Sequence, residues 1–329
     1  MTSQTIWKGA GPVGGVAVLA VLVWRLGTGP FLDGLRRIDG PSLVLAAAIA
    51  GLTTVSCAWR WRLVARGLGV DLPLSTAVAA YYRSVFLNTT LPGGVLGDVH
   101  RGVRHGRDVG DVSRGLRAVV WERTAGQVVQ AVLTITVLLA LPSPVRSSVP
   151  VVAAAVVGVG LGALLLSRAL PQGRPSRWAG TLRAAGTDVR DGLLARRAWP
   201  GIVLASAFVV TGHTATFLIA ARTAGSTESA ARMLPLALLV LLAMVLPSFG
   251  GWGPREGGAA WMFGAAGVGA AQGVATAVTY GVLVFVASLP GAVVLVLAWL
   301  HRDTFGPDPT EPPRWTSPVM ATRDGAVHG

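Results

Sequence analysis

The sequence has a single cysteine, Cys57, among 329 residues. That excludes an internal disulfide and any metal cluster built from cysteines, and in its apolar setting Cys57 reads as a packed, inert side chain. Acid is also scarce. Asp and Glu number 15 against 28 Lys and Arg, for a net charge of +13, and the bases are almost all arginine. Charged residues of both signs make up only 13% of the chain, and 52% is hydrophobic, with a mean hydropathy of +0.59. This is the composition of a polytopic membrane protein, so a length that could hold two soluble domains instead forms one bundle. A pI near 11.6 would suit nucleic acid, but the arginines cluster between apolar segments. The positive-inside bias and anionic lipid headgroups account for them, and nucleic acid is not a partner. There is no P-loop, no Ser-His-Asp arrangement and no zinc motif. No catalytic residue, metal or cofactor is assigned.

Apolar runs of bilayer length mark the spans. A first segment covers residues 11–26. A cleaved signal peptide is its rival reading, but no small-x-small site follows, so it stands as an anchor. Residues 27–41 read as a short loop and 42–59 as the second span, where Trp59, Trp61, Arg60 and Arg62 form an interfacial belt and stop signal. Further spans fall at 117–141, 149–167, 201–221, 233–247 and 273–300. Residues 257–271 are either a thin span or a re-entrant piece. The fold class is therefore all-α, a polytopic transmembrane helical bundle of about 7–8 membrane segments with re-entrant or broken helices. The arginine-rich stretches 60–116 and 168–200, the latter with seven arginines and two aspartates, place the amino terminus in the cytoplasm of a plasma-membrane protein. The membrane domain runs over 1–302. The proline-rich 303–329 reads as a disordered tail.

Two stretches interrupt this pattern. One is Asn88-Thr89-Thr90-Leu91-Pro92-Gly93-Gly94-Val95-Leu96-Gly97-Asp98-Val99-His100-Arg101, and the other is Leu246-Pro247-Ser248-Phe249-Gly250-Gly251-Trp252-Gly253-Pro254-Arg255-Glu256. Each ends an apolar run at Leu-Pro, continues with glycines and then brings an acid and an arginine together. Proline breaks a helix and glycine lets the chain turn. At membrane depth such backbone survives only when buried in protein or lining a wet cavity, and paired interruptions point to a transporter-like site. Residues 72–101 are either an interfacial amphipathic helix or a re-entrant hairpin turning at Pro92-Gly93-Gly94.

Asp98 with Arg101, Glu122 with Arg123, and Arg255 with Glu256 are acid–arginine pairs close to apolar segments, where an unpaired charge costs several kcal/mol, roughly 2.5–3.5 at a helix centre. Asp98 and Arg101 share a helix face. Helix amino termini following the breaks would add N–H groups and a positive dipole, together suited to a phosphate. The plain alternative for each pair is an orientation signal at the end of a span. His213 reads as a polar helix contact among Thr211, Thr214 and Thr216, with proton relay as its alternative. Asp98, His100 and His105 match no strong metal pattern. Gly11, Gly14, Gly15 and Gly158, Gly160, Gly162 allow close helix packing and are not nucleotide loops, because no strand precedes them.

The order Asn88…Leu91-Pro92-Gly93-Gly94…Gly97-Asp98…Arg101, then Glu122-Arg123…Gly126, then Leu246-Pro247…Gly250-Gly251…Gly253…Arg255-Glu256 resembles the lysylphosphatidylglycerol synthase transmembrane domain family. This is the flippase-like domain of bacterial multiple peptide resistance factors, and it also occurs as stand-alone proteins. The likeness runs from about residue 10 to residue 302. Pro254 departs from it, since many relatives have a non-proline residue there.

The resemblance implies a membrane protein that binds and flips a phosphate-headgroup lipid, either a phospholipid or a polyprenyl phosphate. A separate synthase or transferase is a possible partner, because residues 303–329 leave no room for a synthase domain and aminoacyl transfer by this chain is not expected. The expected headgroup site comprises Asn88, Asp98, Arg101, Glu122, Arg123, Arg255 and Glu256. Pro92, Gly93, Gly94, Gly97, Pro247, Gly250, Gly251 and Gly253 are expected to line it as backbone breaks. An intramembrane transferase using Asp98, Glu122 or Glu256 as base, and a scaffold for a partner synthase, are the alternatives.

Overall fold

The structure, a computed structural model, describes residues 17–141, 198–244, 248 and 251–304. Its helices are α1 (Ala17–Leu26), α2 (Gly29–Arg36), α3 (Gly40–Gly67), α4 (Leu74–Thr90), α5 (Leu96–Asp108) and α6 (Val112–Ala140). They are followed by α7 (Trp199–Thr223), α8 (Ala230–Ala243), α9 (Pro254–Ala265), α10 (Ala270–Ser288) and α11 (Pro290–Thr304). Helix starts follow local chemistry. The Asp39 carboxylate accepts from the Ser42 N–H at 2.9 Å ahead of α3, and Asp111 does the same for the Arg114 N–H at 2.9 Å ahead of α6. Each satisfies a donor that the first helical turn would otherwise leave unpaired.

Four helices are long and apolar enough to cross a bilayer: α3 with 28 residues, α6 with 29, α7 with 25, and the 31-residue run Ala270–Leu300. A fifth is reached if α1 and α2, bent by 97° at Gly27-Thr28, count as one. The sequence count of about seven to eight segments is somewhat more than the described residues show. The expected loop 27–41 contains helix α2. The apolar runs at 233–247 and 257–271 become α8 and α9, with 14 and 12 residues, about 21 and 18 Å at 1.5 Å per residue and too short to cross alone. The expected span 149–167 lies outside the described residues, as do Gly11, Gly14, Gly15, the glycines at 158–162 and the tail from 305.

The described chain contains one arrangement twice, a span, then a pair of short helices, then a span. In the first, α4 and α5 form a hairpin: Ser84 and Asn88 on α4 each bond Asp98 in the first turn of α5, both at 3.0 Å. In the second, an added methyl at Gly258 on α9 would lie 3.2 Å from Ala243 at the end of α8. The two hairpins enter from opposite faces. Gly201 at the start of α7 packs against Leu63 near the end of α3, Gly212 packs on Ile49 and Thr53, and Arg37 before α3 donates to the Ala224 carbonyl after α7 at 2.8 Å. α3 and α7 are therefore antiparallel. The first hairpin starts and finishes at the face where α3 ends, and the second at the face where α7 ends, where Gln272 on α10 bonds Ala224 at 3.2 Å. The tips meet: the Gly93 N–H donates to the Ser248 carbonyl at 3.0 Å. Gly93 and Gly94 have φ of 98° and 68°, a conformation that L side chains rarely take. Residues 72–101 thus adopt the hairpin alternative, with its turn at Pro92-Gly93-Gly94.

Glycine also brings α5 against α6. A Cβ on Gly115 would lie 2.5 Å from the Gly102 carbonyl oxygen and 2.6 Å from the Gly106 Cα, so the two backbones touch as small-residue helix interfaces do. Gly115→Leu is expected to lower the thermal midpoint in detergent, with an overpacking cost of about 1–3 kcal/mol. Gly40→Ala, where nothing lies within 4 Å of the new methyl, is expected to leave the midpoint unchanged.

Candidate functional site

Helices α3, α4, α6, α7, α8 and α10, with Gly94, Ser248 and Gly251 of the breaks, enclose a cavity of about 290 Å³. On α3 its wall runs from Ala46 to Arg60, about 21 Å at the helical rise, against a hydrocarbon thickness of about 30 Å. Apolar positions such as Val85, Val209 and Leu283 alternate with Thr53, Thr54, Gln127, Gln130, Ser206 and His213. Arg60 and Arg123 carry the only full charges among the described lining residues.

These two arginines are the ends of one ionic chain. Arg60 donates through Nε to Glu122 Oε1 at 2.9 Å, and its Nη2 contacts the same oxygen more closely. Arg101 Nη2 donates to Glu122 Oε2 at 2.6 Å, and Arg101 Nε to Asp98 Oδ1 at 2.9 Å. Arg123 Nη2 closes the series on Asp98 Oδ2 at 2.6 Å. The order Arg60, Glu122, Arg101, Asp98, Arg123 alternates in sign and joins α3, α5 and α6. Its three guanidiniums against two carboxylates leave one positive charge in excess.

The chain's burial is uneven. The side chains of Glu122 and Arg101 are wholly inaccessible, and the Arg101 guanidinium lies over the rings of both Trp61, at 4.6 Å, and Tyr81, at 4.4 Å. Such stacking holds a cation where water cannot reach it. Arg123 at the far end keeps 41% of its side chain accessible. Glycine makes room at the other end: a Cβ on Gly126, one turn after Glu122, would stand 2.8 Å from Arg60 Nη1.

The expected site residues separate into three groups. Asn88 and Arg123 line the cavity, with Gly94 and Gly251. Asp98, Arg101 and Glu122 stand behind its wall and hold Arg60 and Arg123 in place. Arg255 and Glu256 form a separate buried pair in the first turn of α9, with Arg255 Nε on Glu256 Oε1 at 2.8 Å. This pair meets the cavity lining at Tyr280: the Arg255 guanidinium lies 5.7 Å from the Tyr280 ring, and the Tyr280 hydroxyl meets His213 Nδ1 at 3.0 Å. Glu256 Oε2 also accepts the Gly253 N–H at 2.7 Å and so caps α9, while Gly97 N–H is taken by Asn88 Oδ1 at 2.8 Å. These amino-terminal donors are therefore turned to protein partners, not to the cavity as the sequence suggested. Pro247 and Gly250 lie outside the described residues.

His213 makes the expected polar contact, with Tyr280 and not with a neighbouring threonine, and it faces the cavity. His105 packs edge-on against Trp61 with ring centroids 5.4 Å apart. Sequence reasoning missed Arg60, reading it as a stop signal. Its partner is 62 positions away, and no local pattern joins them.

Membrane-length helices around a polar, arginine-lined cavity define an integral, multi-pass membrane protein of the all-helical class. Residues 12–291 match the family described as Lysylphosphatidylglycerol synthase TM region, and the chain belongs to that family. No curated protein and no solved structure matches it.

Removing one member of a buried ion pair strands its partner, at a cost of about 3–5 kcal/mol. Glu122→Gln, which leaves Arg60 and Arg101 without their shared carboxylate, is expected to lower the thermal midpoint in detergent strongly. Arg123→Gln, at the accessible end, is expected to lower it far less.

Proposed function

We propose that the protein binds the phosphate headgroup of a membrane lipid in this cavity and carries the lipid between the leaflets of a bacterial plasma membrane, with its amino terminus in the cytoplasm. The observation that carries this reading is the position of Arg60 and Arg123. Both ends of a buried ionic chain with one excess positive charge open onto a cavity between two hairpins that enter from opposite faces. Arginine's planar fork suits phosphate. The volume, at the lower end of the roughly 300–1,000 Å³ of small-molecule sites, suits a headgroup and leaves the acyl chains in lipid. A polar passage of this kind lowers the cost of moving a charged head through hydrocarbon, where each unpaired charge costs several kcal/mol. The arrangement favours transport over transferase chemistry, because Asp98, Glu122 and Glu256 are each bound to arginine and offer no free base.

The test is leaflet exchange of fluorescent phospholipids and a polyprenyl phosphate in proteoliposomes. The intact protein is expected to speed exchange of at least one of them well above protein-free vesicles, and Arg123→Gln to reduce that rate by about tenfold, the equivalent of one charge-assisted bond. Exchange no faster than in protein-free vesicles for every lipid would overturn the proposal.

A further inference from the structure

We infer that the lipid admitted by this cavity carries a net-negative head, a phosphodiester with an uncharged, hydroxylated alcohol, and that an aminoacylated, cationic head is rejected. This rests on the headgroup reading above. It also separates this chain from the lipid that appears in the family's description.

The argument is one of available partners. An ammonium group brought into the cavity would meet no carboxylate to neutralise it among the described lining residues. The acids behind the wall are already taken. Asp98 Oδ1 accepts from Ser84 Oγ at 3.0 Å and Arg101 Nε at 2.9 Å, and its Oδ2 from Asn88 Nδ2 at 3.0 Å and Arg123 Nη2 at 2.6 Å. Glu122 Oε1 receives Arg60 and the Tyr81 hydroxyl at 3.3 Å, and its Oε2 receives Arg101 Nη2 at 2.6 Å. Glu256 is shared between Arg255 and the Gly253 N–H. To reach Glu122 or Glu256, a cationic head would have to displace a guanidinium and leave it buried without a counter-charge, a strongly unfavourable exchange, and at Asp98 it would compete with both Arg101 and Arg123.

The charge balance points the same way. One positive charge remains on the ionic chain, and Arg123, its most accessible member, faces the cavity. A phosphodiester brings one negative charge and matches it. A phosphomonoester, with a second ionisation near pH 6, brings more than the wall neutralises. Beyond the arginines the wall offers amides and hydroxyls, among them Gln127, Gln130, Thr53 and Thr54, which suit the hydroxyls of an uncharged alcohol.

The experiment compares exchange of phosphatidylglycerol, lysyl-phosphatidylglycerol and phosphatidic acid with matched acyl chains, in proteoliposomes of phosphatidylcholine. Phosphatidylglycerol is expected to exchange at least about tenfold faster than its lysyl ester, a factor equivalent to one ionic contact, and faster than phosphatidic acid. Gln130→Glu, which introduces a carboxylate on the cavity wall, is expected to raise lysyl-phosphatidylglycerol exchange and narrow the ratio, and Arg123→Gln to narrow it by slowing phosphatidylglycerol. Equal or faster exchange of the lysyl ester by the intact protein would sink the inference and leave the headgroup reading standing. Faster phosphatidic acid would overturn the diester assignment alone. No exchange of any of the three, with protein shown to be folded by its thermal transition, would count against the headgroup reading itself.

Discussion

Glu122 sits wholly buried between two guanidinium groups, and much of the described structure is arranged around that fact. A carboxylate at this depth is tolerated because Arg60 and Arg101 compensate it, and those arginines are tolerated because Glu122 and Asp98 compensate them. Charge balance thus makes α3, α5 and α6 interdependent. The aromatic walls of Trp61 and Tyr81 close the middle of the chain to water, and of its two cavity-lining ends Arg123 keeps the accessible side chain, while Arg60 is also held by Ser206. The network is both a clasp between helices and a means of presenting guanidinium groups to a cavity.

The second constraint is backbone satisfaction. A helix interrupted at membrane depth exposes N–H and C=O groups that lipid cannot bond. Here the two interruptions answer each other. Gly93 donates to Ser248, Asn88 accepts from Gly97, and Glu256 accepts from Gly253. Because α3 and α7 run in opposite directions, the hairpins that carry these breaks approach from opposite faces and meet tip to tip. A cavity beside such a meeting point has a broken element on each side of it. Transporter sites characteristically lie where such broken elements meet.

Helical class, membrane location and the two breaks were legible in the sequence, because they depend on properties that neighbouring residues share. Long apolar runs have few alternatives in a bilayer, and Leu-Pro followed by glycines cannot continue a helix. The α4–α5 turn fell at Pro92-Gly93-Gly94 for that reason. The number of spans was less legible, since a run of 14 apolar residues has the same composition whether it crosses or doubles back. The run 233–247 read as a span and 257–271 as a thin span or a re-entrant piece, and only the contact of α8 with α9 through Ala243 and Gly258 showed that they pair.

Among the candidate site residues, the sequence by itself pointed to Asp98, Arg101, Glu122, Arg123, Arg255 and Glu256 as charges in need of compensation, because a charge inside an apolar stretch is costly wherever the chain runs. It could not assign their partners. Glu122 was paired by adjacency with Arg123, yet its carboxylate is held by Arg60 and Arg101, and Arg123 is held by Asp98. Arg60 looked like a stop signal until α3 and α6 were side by side. Tertiary structure also decided which charges face the cavity and which stand behind it. Sequence records the need for a counter-charge, whereas packing between helices distant along the chain selects the group that supplies it.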